Sequence, residues 1–153
     1  MVMEALTYIG VRITEQCNAG PACIDRCFSQ QGDPLGEATT EEFFTIIQTL
    51  ADNGIQAVNI MGGEPSLRKD LPDIVQFAKS VGLEVILSTN TLTLTNELLD
   101  KVAPYIDWLS ISIDGDNKRM NDGLRGPGQL ASVQRVLDHA ASTDHTYRVK
   151  VNT

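Results

Sequence analysis

Residues 57–90 read AVNIMGGEPSLRKDLPDIVQFAKSVGLEVILSTN, and this one run sets the architecture. Ala57–Met61 is a short apolar segment ending at Gly62-Gly63, the pattern of a strand meeting a turn. Asp70 stands where a helix N-cap belongs, with Pro72 in the first turn behind it. Ile74, Val75, Ala78 and Val81 follow at helical spacing, and Gly82 ends the segment. Val85–Leu87 is the next apolar strand. Strand, helix and strand in direct succession make a βαβ unit, with parallel strands and a right-handed crossover.

The alternation continues on both sides. Upstream, Leu6–Ile13 is a β-rich run. Thr39 and Glu42 form a capping box, and Phe43, Ile46, Ile47 and Leu50 follow as a helical stripe closed by Gly54. Downstream, Thr95 starts a helix carrying Leu98, Leu99 and Val102, and Pro104 ends it. Trp108–Ile113 is a fourth strand, broken by Asp114-Gly115. A glycine-rich loop is expected around Gly123, Gly126 and Gly128, then a helix marked by Val133, Val136, Leu137 and Ala140. Tyr147–Val151 is a fifth strand. The runs VILS and LSISI are continuous enough to suggest strands buried on both faces. The fold class is therefore α/β with parallel strands. Two architectures fit, an open doubly wound sheet or an arc of a (β/α) barrel, and both place ligands at the carboxyl ends of the strands.

Composition narrows the function classes. The chain has 153 residues, 42% of them hydrophobic and 21% charged, which is globular rather than disordered. Its formal net charge is −8 and it holds no basic run, so a nucleic-acid partner is not expected. No stretch approaches the ~20 apolar residues of a transmembrane helix, and the first residues lack the pattern of a secretory signal. A cytoplasmic location is the expectation.

The unusual residues gather at the predicted strand ends. After the first strand come Cys17, Cys23 and Cys27, the only cysteines of the chain. Their odd number argues against a disulfide framework, and their clustering argues for a shared soft metal. A structural zinc site wants four ligands, and His139 and His145 lie far along the chain. A [4Fe–4S] cluster held by three cysteines would leave one iron open to a substrate or cofactor. Zinc binding and unliganded thiols are the alternatives. After the second strand comes Gly62-Gly63-Glu64-Pro65. Its glycines would let a ligand approach the backbone, and Glu64, held extended by Pro65, could accept from an ammonium group. Ser88-Thr89-Asn90 ends the third strand, and Ser112 the fourth. Arg125 lies in the following loop and could clamp a carboxylate.

Taken together, the cysteine loop, GGEP and the SISIDG…RG stretch resemble the radical SAM superfamily, over Leu6 to Thr153. The resemblance implies a partial (β/α)₆ barrel, with Cys17, Cys23 and Cys27 holding a [4Fe–4S] cluster. S-adenosylmethionine would chelate the fourth iron through its amino and carboxylate groups. Gly62, Gly63, Glu64 and Pro65 would form the segment at the amino group, and Ser88, Asn90, Ser112 and Arg125 would complete the cofactor site. Asn90 takes the asparagine of a "TNG"-like segment, here Ser-Thr-Asn-Thr. The implied activity is reductive cleavage to a 5′-deoxyadenosyl radical that abstracts hydrogen from a small-molecule or peptide substrate. A flavodoxin or ferredoxin would be the electron donor. The closing strand and the Leu-Arg-Gly-Pro-Gly loop resemble viperin-like members, and SIDG resembles peptide-modifying members.

The family's common spacing is C-x3-C-x2-C with an aromatic before the last cysteine. Here it is C-x5-C-x3-C, with Arg26 before Cys27 and Phe28 after it. A longer loop can wrap a cube of the same size at little entropic cost. Phe28 is expected to shield the cluster in place of the usual aromatic. A full eight-unit barrel runs to about 250 residues, so this length corresponds to about five units. Residues 1–153 are therefore expected to be one barrel domain incomplete after strand 5, whose open edge a further segment or a partner would cover. A non-catalytic cofactor-binding fragment is the competing expectation.

Overall fold

A computed structural model describes residues 7–27 and 36–153. Five strands form one sheet: β1 (Tyr8–Arg12), β2 (Ala57–Met61), β3 (Glu84–Thr89), β4 (Trp108–Ser112) and β5 (Arg148–Asn152). All neighbours are parallel, and the order is β1-β2-β3-β4-β5. A doubly wound sheet reverses its strand order at a switch point. This sheet never does, so of the two architectures the sequence allows, the barrel arc is the one formed.

Among the described residues six helices accompany the strands: α1 (Pro21–Ile24), α2 (Thr40–Asp52), α3 (Leu71–Ser80), α4 (Asn96–Val102), α5 (Lys118–Arg125) and α6 (Gln129–Ser142). One face of the sheet is apolar. Val58, Ile60, Val85, Leu87, Leu109 and Ile111 are all buried, in one cluster with Ile47 of α2, Ile74 of α3, Leu99 of α4 and Val136 of α6. Burial of each such side chain is worth about 1.5–3 kcal/mol, so this face supplies the core. The opposite face is mixed, with Asn59, Ser88, Ser110, Ser112 and Asn152 beside Ala57, Met61, Ile86 and Trp108. Register aligns Ser88 with Ser110 and Ser112 with Asn152, and Ser88 donates to Asn59 Oδ1 at 2.7 Å. The expectation of strands buried on both faces holds in part: Ser110 on this face is buried, while Ile86, Ser88, Trp108 and Ser112 are half-buried. The apolar core lies on the outer side, and the inner side carries several hydrogen-bonding residues. The outward Val149 and Val151 of β5 are exposed.

Local chemistry explains most helix ends. Thr39 and Glu42 form the expected capping box, with Glu42 N donating to Thr39 Oγ1 at 3.2 Å and Thr39 N to Glu42 Oε2 at 2.7 Å. Asp70 does not cap α3 as expected, because its carboxylate is drawn elsewhere. Arg68 Nε donates to Asp70 Oδ1 at 2.9 Å and Nη2 to Oδ2 at 2.6 Å, while Nη1 reaches the carbonyls of Ile13 and Ala38 at 2.9 and 3.2 Å. Arg68 thus ties the end of β1 to the entry of α2. The Arg68 hydrogen bond is the main reason the Asp70 carboxyl lies below its ordinary value.

The expected glycine loop after β4 is in fact mostly α5, which contains Gly123. Asn117 caps this helix, its side chain accepting from Met120 N at 3.1 Å. Asp122 of α5 then caps the next helix: Gly128 N and Leu130 N donate to its two oxygens, both at 2.9 Å. The Leu130 bond leads in holding the Asp122 carboxyl below its ordinary value. A depressed carboxyl stabilises the fold above its unfolded pKa and loses that contribution as pH falls through the folded value. The Asp122 carboxyl carbon, followed by NMR, is expected to titrate below the ordinary aspartate range. The Leu130 amide should inflect with it. An inflection at or above the ordinary value would remove the cap from this account.

Candidate active site

The cysteine loop leaves β1 and is laid against the Gly62-Gly63-Glu64 turn. The β1–β2 ladder continues past both strands: Ile13 N donates to Met61 O at 2.8 Å, Gly63 N to Thr14 O at 2.8 Å, and Glu64 N to Gln16 O at 2.7 Å. A Cβ on Gly63 would stand 2.1 Å from the Gln16 carbonyl oxygen, and one on Gly62 2.4 Å from that of Thr14. These glycines are required by the protein's own backbone, not only by an approaching ligand as expected from the sequence. They set the path of the residues leading into Cys17.

A second contact holds the loop from the far side. Gly20 N donates to Arg125 O at 2.7 Å. A Cβ on Gly20 would come within 2.9 Å of Gly126 Cα, and Gly126 sits at φ +113°. Two glycines face to face let α1 dock on the end of α5.

Glu64 is fully buried. Its Oε1 accepts from Ser66 N at 3.1 Å, Ser66 Oγ at 2.5 Å and Thr89 Oγ1 at 2.8 Å, and Oε2 accepts from Asn90 N at 2.7 Å. Four donors anchor the carboxylate and join the β2 turn to the end of β3. Burial pushes its pKa up, against the pull of these donors. Pro65, itself buried, holds Glu64 extended, at φ −136°, and opens a 3₁₀ turn.

Asn90 links three segments. Its amide donates to Asn18 Oδ1 at 2.8 Å and to Cys17 Sγ at 3.8 Å, and its carbonyl accepts from Gln129 Nε2 at 3.0 Å. The next residue, Thr91, has φ +68°, a left-handed conformation costing about 1–3 kcal/mol outside glycine. Bonds from Thr91 N to Thr89 Oγ1 and between Thr91 Oγ1 and Ser132 Oγ hold it there. Gln129 Nε2 also donates to Ser112 O at 2.7 Å, and Gln129 Oε1 receives Asn121 Nδ2. Asn121 Oδ1 in turn accepts from Asp114 N at 2.9 Å. Both amides are fully buried. They fasten the ends of β3 and β4 and the loop beyond, and the apolar periodicity of the sequence carries no sign of them.

Cys17, Cys23, Cys27, Gly62, Gly63, Glu64, Ser88, Asn90, Ser112 and Arg125 line one cavity of about 710 Å³, within the usual size of small-molecule sites. Pro65 lies outside that lining. Asn59, Asp114 and Asn152 join it and were not anticipated. Their signal was available, since each is polar on the inner face or just past a strand end. None of the three cysteines is in a disulfide. Burial, ahead of the opposing Ala19 N–H, raises the pKa of the Cys17 thiol. Among the described residues no three His, Cys, Asp or Glu side chains converge where a single ion would sit. A cube of four irons asks for less convergence, since each thiolate binds its own corner. Three thiols on one wall of a cavity, with N–H groups of Ala19 and Asn90 aimed at Cys17, fit such a cluster. Phe28 lies outside the described residues. Among those residues no helix is long and apolar enough to cross a membrane.

The family model for the radical SAM superfamily matches residues 13–152, and the chain belongs to that superfamily, whose members use a [4Fe–4S] cluster and S-adenosylmethionine. Among curated relatives, the AdoMet-dependent heme synthase of Methanosarcina barkeri is 33% identical over 92% of this chain and 41% of its own length. The mycofactocin maturase MftC of Mycolicibacterium smegmatis is 36% identical over 88% of this chain and 34% of its own length. The chain spans less than half the length of both relatives. The crystal structure of Streptococcus suis SuiB bound to S-adenosylmethionine superposes with a TM-score of 0.77, at 17% identity, over 97% of this chain and 34% of that one. That likeness is one of fold.

Proposed function

We propose that the cavity at the strand ends is a radical SAM active site. Cys17, Cys23 and Cys27 hold a [4Fe–4S] cluster. The backbone of Gly62, Gly63 and Glu64, with Ser88, Asn90, Ser112 and Arg125, binds S-adenosylmethionine. The observation that carries this reading is the gathering of all three thiols and these strand-end residues around one cavity. When bound, cluster and cofactor together supply a 5′-deoxyadenosyl radical that takes hydrogen from the substrate. The chain's own residues orient and enclose. Gly62 and Gly63 fix the approach to Cys17, Glu64 ties the amino-group turn to β3, and Asn90 and Ala19 donate to the Cys17 sulfur. The inner-face polar residues Asn59 and Asn152 extend the cavity toward a substrate. The named relatives support a peptide or small-molecule substrate. A flavodoxin or ferredoxin is the proposed electron donor.

Anaerobic reconstitution is expected to load about four irons and matching sulfide per chain. Cys17→Ala, Cys23→Ala and Cys27→Ala should each abolish that loading. With a strong reductant and S-adenosylmethionine, the loaded protein should release 5′-deoxyadenosine. Zinc without sulfide would overturn the cluster assignment. A full cluster with no cofactor cleavage would leave a binding module in place of an enzyme.

A further inference from the structure

The surroundings of Arg125 give it a contact beyond the carboxylate clamp that the sequence allows. Its Nε donates to Asp114 Oδ2, so one edge of the guanidinium is occupied by the protein's own carboxylate. Its Nη1 points at Cys23 Sγ, 3.9 Å away. Its carbonyl, independently of the side chain, receives Gly20 N from the cysteine loop. The partner Asp114 is itself held, its backbone N–H donating to the buried Asn121. The side chain is largely shielded, at 18% exposure, so its charge is little screened by water. A cation fixed by a carboxylate on one side has little freedom to leave the sulfur on the other.

We infer that Arg125, beyond its proposed place in the cofactor pocket, sets the reduction potential of the cluster through Cys23. The inference rests on the proposed cluster assignment. A reduced cluster carries one more negative charge than an oxidised one. A hydrogen bond to a ligating sulfur and a nearby positive charge therefore favour the reduced form and raise the potential. Asp114 offsets part of the charge but leaves the N–H donor in place. Its main contribution is to hold the planar guanidinium in one orientation.

The test is a redox titration of the reconstituted protein without S-adenosylmethionine, followed by the electron paramagnetic resonance of the reduced cluster. Arg125→Met removes charge and donor but keeps the backbone bond from Gly20, so iron loading should survive. Its midpoint is expected to fall to a more negative potential than that of the wild type. Arg125→Lys keeps the charge without the rigid fork, and its midpoint should lie between the two. Equal midpoints in loaded wild type and Arg125→Met would overturn the inference while leaving the cluster assignment standing. Loss of iron from both variants, with wild type loaded, would also overturn it, since Arg125 would then only seat the loop. A wild type that builds no cluster would instead fail the active-site reading itself.

Discussion

Gly63→Ala is expected to destabilise the protein by about 3–5 kcal/mol and to strip most of its iron. The added methyl would sit 2.1 Å from Gln16 O, 2.5 Å from Gln16 C and 2.8 Å from Glu15 O. All three are backbone atoms, so no side chain can rotate aside. Relief requires parting the loop from the β2 turn, which breaks the bonds from Gly63 N to Thr14 O and from Glu64 N to Gln16 O. Gln16 directly precedes Cys17, so the first proposed cluster ligand moves with it. Gly123→Ala is the matched comparison. It lies within α5, its Cβ would meet nothing within 4 Å, and it is not among the positive-φ glycines. That change should stabilise by about 0.5–1 kcal/mol through helix propensity alone. Urea denaturation with iron analysis reads both. A Gly63→Ala midpoint close to that of the wild type would mean that the turn does not bear on the loop as described.

The two glycines illustrate what a sequence can and cannot express. Alternating apolar runs announced every strand and the helices α2, α3, α4 and α6, because each buries an apolar stripe and periodicity measures just that. Helix α5 escaped because it has no such stripe. Asn121 is its buried residue, and Gly123 followed by Gly126 and Gly128 looks like a loop. The carboxyl-end rule gathers the cysteines, GGE, Ser88, Asn90, Ser112 and Arg125 from the sequence, since the direction of the strands orients those ends. What stayed hidden was which group each polar side chain would meet. Asp70 has the position of a cap, yet the Arg68 fork outcompetes the helix terminus. Asn121 and Gln129 look like surface amides, yet their donors and acceptors complement carbonyls and an amide on three separate segments. Such matches are made by tertiary contacts between distant stretches, and local pattern holds no record of them.

Glu64 is where those distant contacts meet most densely, and Glu64→Ala is expected to cost about 3–5 kcal/mol. Truncation would leave the Ser66, Thr89 and Asn90 donors without their acceptor in a site with no exposure. Glu64→Gln is the sharper probe. With its carbonyl on the Ser66 and Thr89 side, its amide would face Asn90 N–H donor to donor, a loss of about 1–3 kcal/mol. The pH dependence of that loss separates two opposed forces. Burial raises the Glu64 pKa and the four donors lower it, with burial the stronger. A carboxyl raised in the fold contributes stability that is complete below its unfolded pKa and is lost as pH rises through the folded value. Glutamine does not titrate. The stability gap between wild type and Glu64→Gln, measured by chemical denaturation at stepped pH, should therefore narrow as pH rises from the acid range toward neutrality. A gap that widens would show that the donors win and that the carboxylate is held ionised. In that case the amino-group turn would carry a buried negative charge near Cys17, and the proposed cofactor's ammonium would find there an electrostatic partner rather than a neutral hydrogen-bonding anchor.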